Sequence, residues 1–443
     1  METYVQRRAR LLEMLPDRSL VIVAGGGLSP RNSDVTHPFR QDSNFQFLTG
    51  FVEPDAYLLM MRSGAESESV LLVQPRDPKM ELWTGRRVGP ERVVERYGVD
   101  RGAGNTDLDS ILGEMLPKAQ HIAYELGSNG ELDQRIIKLA RRHWVQPRRF
   151  FDGPNTWLDL SATLTDLRLI KDRSDIELIR RSVIAAAEGH TLGMRAARPG
   201  MREYQLQAAI EFGFRANGGI GSAYNSIVAG GDNANILHYD TNRDVLKDGD
   251  LVLVDAGCEI DCMASDITRT FPVNGTFSAA QAELYDVVLA AQLACLEASK
   301  PGGNTEHLHK TAVEVLSQGI HDIGLIEESV DTIIGEELYK KYYMHRTGHW
   351  LGLDVHDVGR YYADGSPRNF EPGMVFTVEP GLYVAQSAVD APERFRGIGI
   401  RIEDDILITS EGHENLSASC PKSREDIEKV AKDRFDFHFP VVA

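Results

Sequence analysis

The chain has 443 residues with 42% apolar and 26% charged side chains, ordinary globular usage that excludes collagen-like, coiled-coil and low-complexity architectures and predicts two or three domains. Its 48 basic and 66 acidic residues leave a formal charge of −18, so nucleic acid and anionic membrane surfaces are repelled overall. Four cysteines, Cys258, Cys262, Cys295 and Cys420, are too few for a disulfide scaffold and suit a reducing compartment.

Near the N-terminus the only apolar run, from Leu20 to Ala24, is far shorter than a signal-peptide core or a membrane span, and a cytoplasmic location is expected. From Ser19 to about Phe151 the β-rich runs SLVIVAGGG, AYLLMMR, ESVLLVQP and HIAYELG alternate with polar or helix-like stretches, the pattern of an α/β layer. Trp83, within ELWTGRR, reads as a surface aromatic packed under a loop. Pro and Gly come together in DGPNTWLDL at 152–160, and Ser174 and Glu177 then match a capping box that opens a helix. The expected domains are therefore 1–165, a smaller α/β unit, and 166–443.

Beyond that boundary one plan runs twice. The first pass predicts a helix over 175–197 stopped by Arg198, Pro199 and Gly200, then a second helix to Asn217. The second pass opens with the capping pair Ser278 and Gln281, runs to Ser299, stops at Lys300, Pro301 and Gly302, and restarts near Asn304. Each half then delivers a glycine-led strand: GDLVLVD ending at Asp255 aligns without gaps on GMVFTVE ending at Glu379. An α+β class follows, with two halves related by a pseudo-twofold axis that brings both acidic strands to one shared sheet.

Asp266 lies close enough to Asp255 for one hairpin to hold both, with Asp266, Thr268 and Thr270 on one face. In GIGIRIEDDILI, Ile398, Ile400 and Ile402 share one face, while Gly399, Arg401, Glu403 and Asp405 share the other. Carboxylates among Val and Ile lose hydration on burial, and four of them need a compensating cation. The segment HRTGHWLGLDVHD at 345–357 supplies clustered imidazoles, His345, His349 and His356, and its glycines predict a backbone that approaches something closely. Arg346 breaks the helical zinc-protease pattern. Several carboxylates with one histidine suit hard divalent ions, Mn²⁺ first, with Co²⁺, Zn²⁺ or Fe²⁺ as substitutes. Bridging by Asp266 and Glu403 places two ions about 3.5–4 Å apart, a geometry that holds a bridging hydroxide as nucleophile.

The motifs ILHY at 236–239, DGDLVLVDAGCE at 248–259, SDITRTFPVNG at 265–275, HRTGHWLGLDVHDVG at 345–359, GMVFTVEPGLY at 373–383 and RGIGIRIEDDILIT at 396–409 resemble the M24 metallopeptidase family. FRQDSNFQFLTGFVEPDA at 39–56 is similar to the leading domain of that family's proline-specific aminopeptidase branch. The resemblance implies a pita-bread catalytic domain and hydrolysis of the bond between an N-terminal residue and a following proline. It implies Asp255 on one ion, His349 and Glu379 on the other, and Asp266 and Glu403 bridging. His238 and His356 are implied to meet the substrate carbonyl or oxyanion, Arg401 to sit beside Glu403, and Glu379 to carry a proton to the leaving nitrogen. The implied partners are peptides with proline second, with no nucleic acid and no membrane, and the implied assembly is a homodimer or homotetramer. Two other readings stay open here: a prolidase acting on Xaa-Pro dipeptides, and a metal-free pita-bread binding module.

Overall fold

The computed structural model describes residues 1–144 and 153–435, in two compact units, Met1–Arg168 and Leu169–Ala443. The stretch 145–152, at the end of the expected α/β layer, lies outside the described residues.

The first unit is built on a six-stranded sheet. In sheet order its strands are Arg101–Gly104, Glu66–Val73, Tyr57–Ser63, Ser19–Ala24, His121–Ala123 and Thr156–Leu158. Ser19–Ala24 is apolar on both faces and sits inside the sheet, antiparallel to Tyr57–Ser63 with Leu20 opposite Met61, and parallel to His121–Ala123. Leu20, Ile22, Leu59 and Val70 pack against Leu112 and Ile136 from the covering helices. Each such fully buried side chain contributes roughly 1.5–3 kcal/mol relative to exposure. Trp83 departs from expectation. It stands 85% exposed beside the equally exposed Leu82, on the short helix Pro78–Thr84, with nothing covering it.

In the second unit the two helix pairs form where the sequence placed them. Arg173–Ala196 is capped by Asp172, whose carboxylate accepts from Ser174 and Asp175, so the capping box starts two residues earlier than Ser174. It packs on Glu203–Ala216 through glycines: a Cβ at Gly213 would lie 2.6 Å from the Gly189 Cα, so any larger residue forces the helices apart. The second pair is Ala279–Ala298, with the Ser278 and Gln281 capping box complete, and Thr305–Asp322, capped by Asn304. Ala279–Ala298 is apolar and long enough to cross a bilayer, but it buries Leu284, Tyr285, Val288, Cys295 and Leu296 within the unit.

Leu251–Asp255 pairs antiparallel with Thr268–Pro272, with Asp255 opposite Thr268. Val375–Val378 pairs in the same way with Asp404–Ile408, with Val378 opposite Asp404. The expected single sheet is not formed. The two hairpins belong to separate three-stranded sheets, because a break at Ile402 and Glu403 divides Ile398–Arg401 from Asp404–Ile408. The sheets are stitched where the Glu403 N–H donates to the Thr268 carbonyl (3.1 Å) and the Thr270 hydroxyl donates to the Arg401 carbonyl (3.0 Å).

Candidate metal centre

Four carboxylates reach one place because each sits at a strand end. Asp255 closes Leu251–Asp255, and Asp266 lies two residues before Thr268–Pro272. Glu379 follows Val375–Val378, and Glu403 precedes Asp404–Ile408. The histidine arrives on a segment without regular structure whose backbone nonetheless runs along Val375–Val378. The Leu351 N–H donates to the Val375 carbonyl (3.0 Å), Thr377 to His349 (2.9 Å) and Glu379 to Thr347 (2.8 Å). Gly348 permits that approach, since a Cβ there would collide with the Thr377 carbonyl. This is the close backbone contact expected from the glycines of 345–357.

A cavity of about 760 Å³ is lined by His238, Asp255, Asp266, His349, His356, Glu379, Arg401 and Glu403, so all eight residues singled out from the sequence converge. Ligand atoms of Asp266, His349 and Glu403 lie within 4.8 Å of one another. The His349 Nδ1–H donates to the Trp350 carbonyl (3.0 Å), which turns Nε2 toward Asp266 Oδ2 (3.4 Å) and Glu379 Oε1 (3.8 Å). Its ring lies 4.3 Å from that of His356.

Arg401 lines the same cavity as Glu403 and draws that carboxyl downward, while its hydrogen bonds go elsewhere. Its Nη2 donates to Asp255 Oδ2 (2.5 Å), its Nη1 to the Tyr383 hydroxyl (3.0 Å) and its Nε to Thr268 Oγ1 (3.2 Å). The Thr268 hydroxyl in turn donates to Glu403 Oε2 (2.6 Å), so Thr268 links the guanidinium to that carboxylate. The expected shared face holds for Arg401 and Glu403, which both line the cavity across the break at Ile402 and Glu403.

Sequence reasoning missed two tyrosines here. The Tyr224 hydroxyl contacts Asp255 Oδ1 (2.6 Å) and Asp266 Oδ1 (2.5 Å), although its single proton serves one carboxylate at a time. The Tyr383 hydroxyl links Arg401 to His345 Nε2 (2.9 Å). Neither tyrosine carries a local signal: Tyr224 follows a glycine-rich turn and Tyr383 reads as an ordinary strand aromatic.

The electrostatics say what the pocket lacks. Burial first, then the charge of Asp255, raises the Asp266 carboxyl. Burial and the neighbouring Asp266, Glu379 and Asp255 hold Glu403 well above the usual carboxylate range. Burial lifts Glu379 to about 7 against the opposing pull of His349 and Arg401. Burial disfavours a charged His349, yet its bond to Asp266 and the charge of Glu379 carry it to about 9. Behind the site, Asp405 Oδ2 accepts the Asp266 N–H (3.0 Å) while its Oδ1 is buried without a partner. A donor set of four carboxylates and one imidazole, repelling itself and facing one guanidinium, fits hard divalent cations.

Residues 177–410 match metallopeptidase family M24, and residues 4–124 match the aminopeptidase P N-terminal domain. The chain is 39% identical to a Xaa-Pro aminopeptidase of Haemophilus influenzae over 429 residues, 97% of each chain. Among solved structures it is similar to aminopeptidase PepP of Pseudomonas aeruginosa, with TM-score 0.95 and 42% identity over 97% of this chain and 98% of that one. It is also similar to a zinc-substituted Escherichia coli aminopeptidase P in complex with product, with TM-score 0.95 and 39% identity over 98% and 99% of the two chains.

Proposed function

The chain belongs to metallopeptidase family M24, and from that premise we infer that it is a metal-dependent aminopeptidase hydrolysing the bond between an N-terminal residue and a following proline. The observation that carries this is the convergence of Asp255, Asp266, His349, Glu379 and Glu403 on one cavity of the pita-bread unit, with His238 and His356 on its walls. The leading domain and the end-to-end likeness to Xaa-Pro aminopeptidases disfavour the prolidase reading. Retention of the full donor set disfavours the metal-free binding module.

In this reading Asp255, Asp266, His349, Glu379 and Glu403 hold two divalent ions, with Mn²⁺ proposed as the resident metal. Bound there, the ions supply an acidified water and a Lewis acid for the scissile carbonyl. Arg401 and Tyr224 fix the Asp255 carboxylate from opposite sides, so the donor keeps one orientation. His238 and His356 offer ring N–H groups to the carbonyl oxygen as it gains charge. Because the leaving proline nitrogen is tertiary, its departure requires protonation, and Glu379, on the cavity wall, is the residue we assign to deliver that proton. Asp255 and the surrounding acidic field favour the peptide's free α-amine. Four buried cysteines without disulfides support a cytoplasmic, reducing location, and a homodimer or homotetramer is the proposed assembly.

The test is hydrolysis of a proline-second tripeptide by metal-stripped protein before and after adding Mn²⁺, with the matching Xaa-Pro dipeptide alongside. Cleavage of the tripeptide only when metal is restored is expected. Failure with every divalent ion would remove the enzymatic reading, and preference for the dipeptide would reinstate prolidase.

A further inference from the structure

The excess negative charge of this protein is confined to one unit. Residues 169–443 carry 26 basic and 43 acidic side chains, whereas residues 1–168 carry 22 and 23. Within the near-neutral first unit, a separate cavity of about 400 Å³ is lined by Arg76, Arg86, Arg87, Arg92 and Arg96 together with Val88. Among the described residues no acidic side chain lines it. The volume is within the ordinary range for small-molecule sites.

The local chain explains how five guanidiniums collect there. Arg92 and Arg96 are four apart on the helix Pro90–Tyr97 and so share a face, where like charges repel. Arg86 and Arg87 precede that helix, and Arg76 precedes the helix Pro78–Thr84. The nearby acids answer this charge only in part, and Glu53 Oε2 is buried without a hydrogen-bond partner. Glu81 accepts two bonds from Arg76 (3.0 and 2.9 Å) and one from the Arg87 backbone N–H (3.3 Å). Glu53 accepts from the Val88 N–H (2.8 Å). Arg87 donates to the Pro75 carbonyl (3.0 Å), while the side chains of Arg86 and Arg92 make no hydrogen bond or ion pair among the described residues. Among the described residues only Arg76 has a direct ion pair, with Glu81, while Glu53 acts on Arg87 and Arg96 at longer range, so the cluster keeps an excess of positive charge.

We propose that this arginine cavity binds a compact phosphate-bearing anion, either inorganic phosphate or the phosphate group of a small phosphomonoester. Guanidinium forks match tetrahedral oxyanions with paired N–H donors. A monovalent carboxylate offsets one charge of the cluster, whereas a phosphate near pH 7 carries between one and two. A long polyanion is disfavoured, since the cavity is small and the chain as a whole is strongly acidic.

The test is calorimetric titration of the full-length, Mn²⁺-loaded protein with inorganic phosphate at constant ionic strength, with acetate and phenyl phosphate as further arms. Saturable phosphate binding is expected, weakened at least about tenfold in the Arg86→Glu, Arg92→Glu double variant. Both side chains are exposed and unbonded, so circular dichroism of that variant should be unchanged. Binding to Asp266→Ala should equal wild type, because phosphate held at the metal centre would be lost there. Phenyl phosphate binding as well as phosphate assigns the site to phosphomonoesters, and binding weaker by tenfold or more assigns it to the free ion. Absence of saturable phosphate binding, equal binding of acetate, insensitivity to the double substitution, or loss in Asp266→Ala would each overturn the proposal. A change of oligomeric mass in the double variant without phosphate binding would overturn it too, by giving the arginines to a second copy of the chain.

Discussion

Two buried carboxylates, Glu403 and Asp404, are adjacent in the chain, and they have opposite fates. Asp404 is fully buried, yet it accepts from Arg269 (2.7 Å), Lys422 (2.6 Å), Gln292 (2.7 Å), Asn415 (2.8 Å) and Ser417 (2.8 Å). Burial alone would raise its carboxyl, but Arg269 and Lys422 hold it far below the usual range. Glu403 points the other way from the same strand end, into the pocket, and is pushed up. Where the protein supplies cations, a buried acid is a structural knot. Where it sets one guanidinium and one imidazole against four acids, the rest of the charge has to come from solution.

The largest effects break the comparison at its two poles. Asp266→Ala removes a shared donor and should lower kcat/KM on a proline-second peptide by roughly 10³-fold or more. Calorimetry of that variant without metal should show a melting temperature equal to or above that of the metal-free parent, because one of the repelling charges is gone. Asp404→Ala should do the reverse. It leaves Arg269 buried without its carboxylate and should cost about 3–5 kcal/mol in denaturant unfolding, with soluble yield falling accordingly.

A pH scan sharpens the contrast. The folded pocket without metal holds Glu379 above its unfolded value of 4.5, at about 7, and His349 above 6.5, at about 9. Both groups therefore bind more protons folded than unfolded inside those windows, so stability must fall as pH rises through them. The stabilising share of protonated His349 is complete below 6.5 and gone above 9. Differential scanning calorimetry should show the metal-free protein losing several degrees between about pH 5 and 9. The Mn²⁺-loaded protein should be flatter, and an equally steep slope in both would refute the picture of an unmet charge. Asp404, with its depressed value, contributes stability that is present above the unfolded carboxyl range and is lost only in strong acid, in either sample.

Smaller effects follow from the scaffold. Gly348→Ala drives a methyl into the Thr377 carbonyl and should displace His349, destabilising by about 1–3 kcal/mol and reducing Mn²⁺ affinity. Tyr224→Phe removes one hydroxyl from Asp255 and Asp266 and should cost roughly tenfold in metal affinity, read by titration, with the melting curve little changed.

Much of this was legible in the sequence because it rests on local signals. Ser278 with Gln281, and Asn304, announce helix starts by their side-chain chemistry, and the paired GDLVLVD and GMVFTVE runs announce equivalent strands. The four acids stood out together because carboxylates inside apolar strands need a compensating charge, while the roles of His238, His356 and Arg401 came from the resemblance to family M24. What stayed hidden depends on register between distant segments. The break at Ile402 divides the expected sheet, the bond from Arg401 to Asp255 joins residues 146 positions apart, and no residue type marks either. Tyr224 and Tyr383 function through contacts 31 to 42 and 18 to 38 positions away in the chain. The arginine cavity is likewise built by folding, from three short stretches whose charges read as solvated surface when taken one by one.

The five donors come from four separated stretches, the first at Asp255 and the last at Glu403, stitched by the bond between Glu403 and the Thr268 carbonyl. A ribosome-bound chain that has released only the first hairpin owns Asp255 and Asp266 and no imidazole at this place. Loading with metal is consequently an event of the finished polypeptide: a nascent chain truncated before Glu403 has no complete nest to fill, and the enzyme is born inactive until its last sheet has docked.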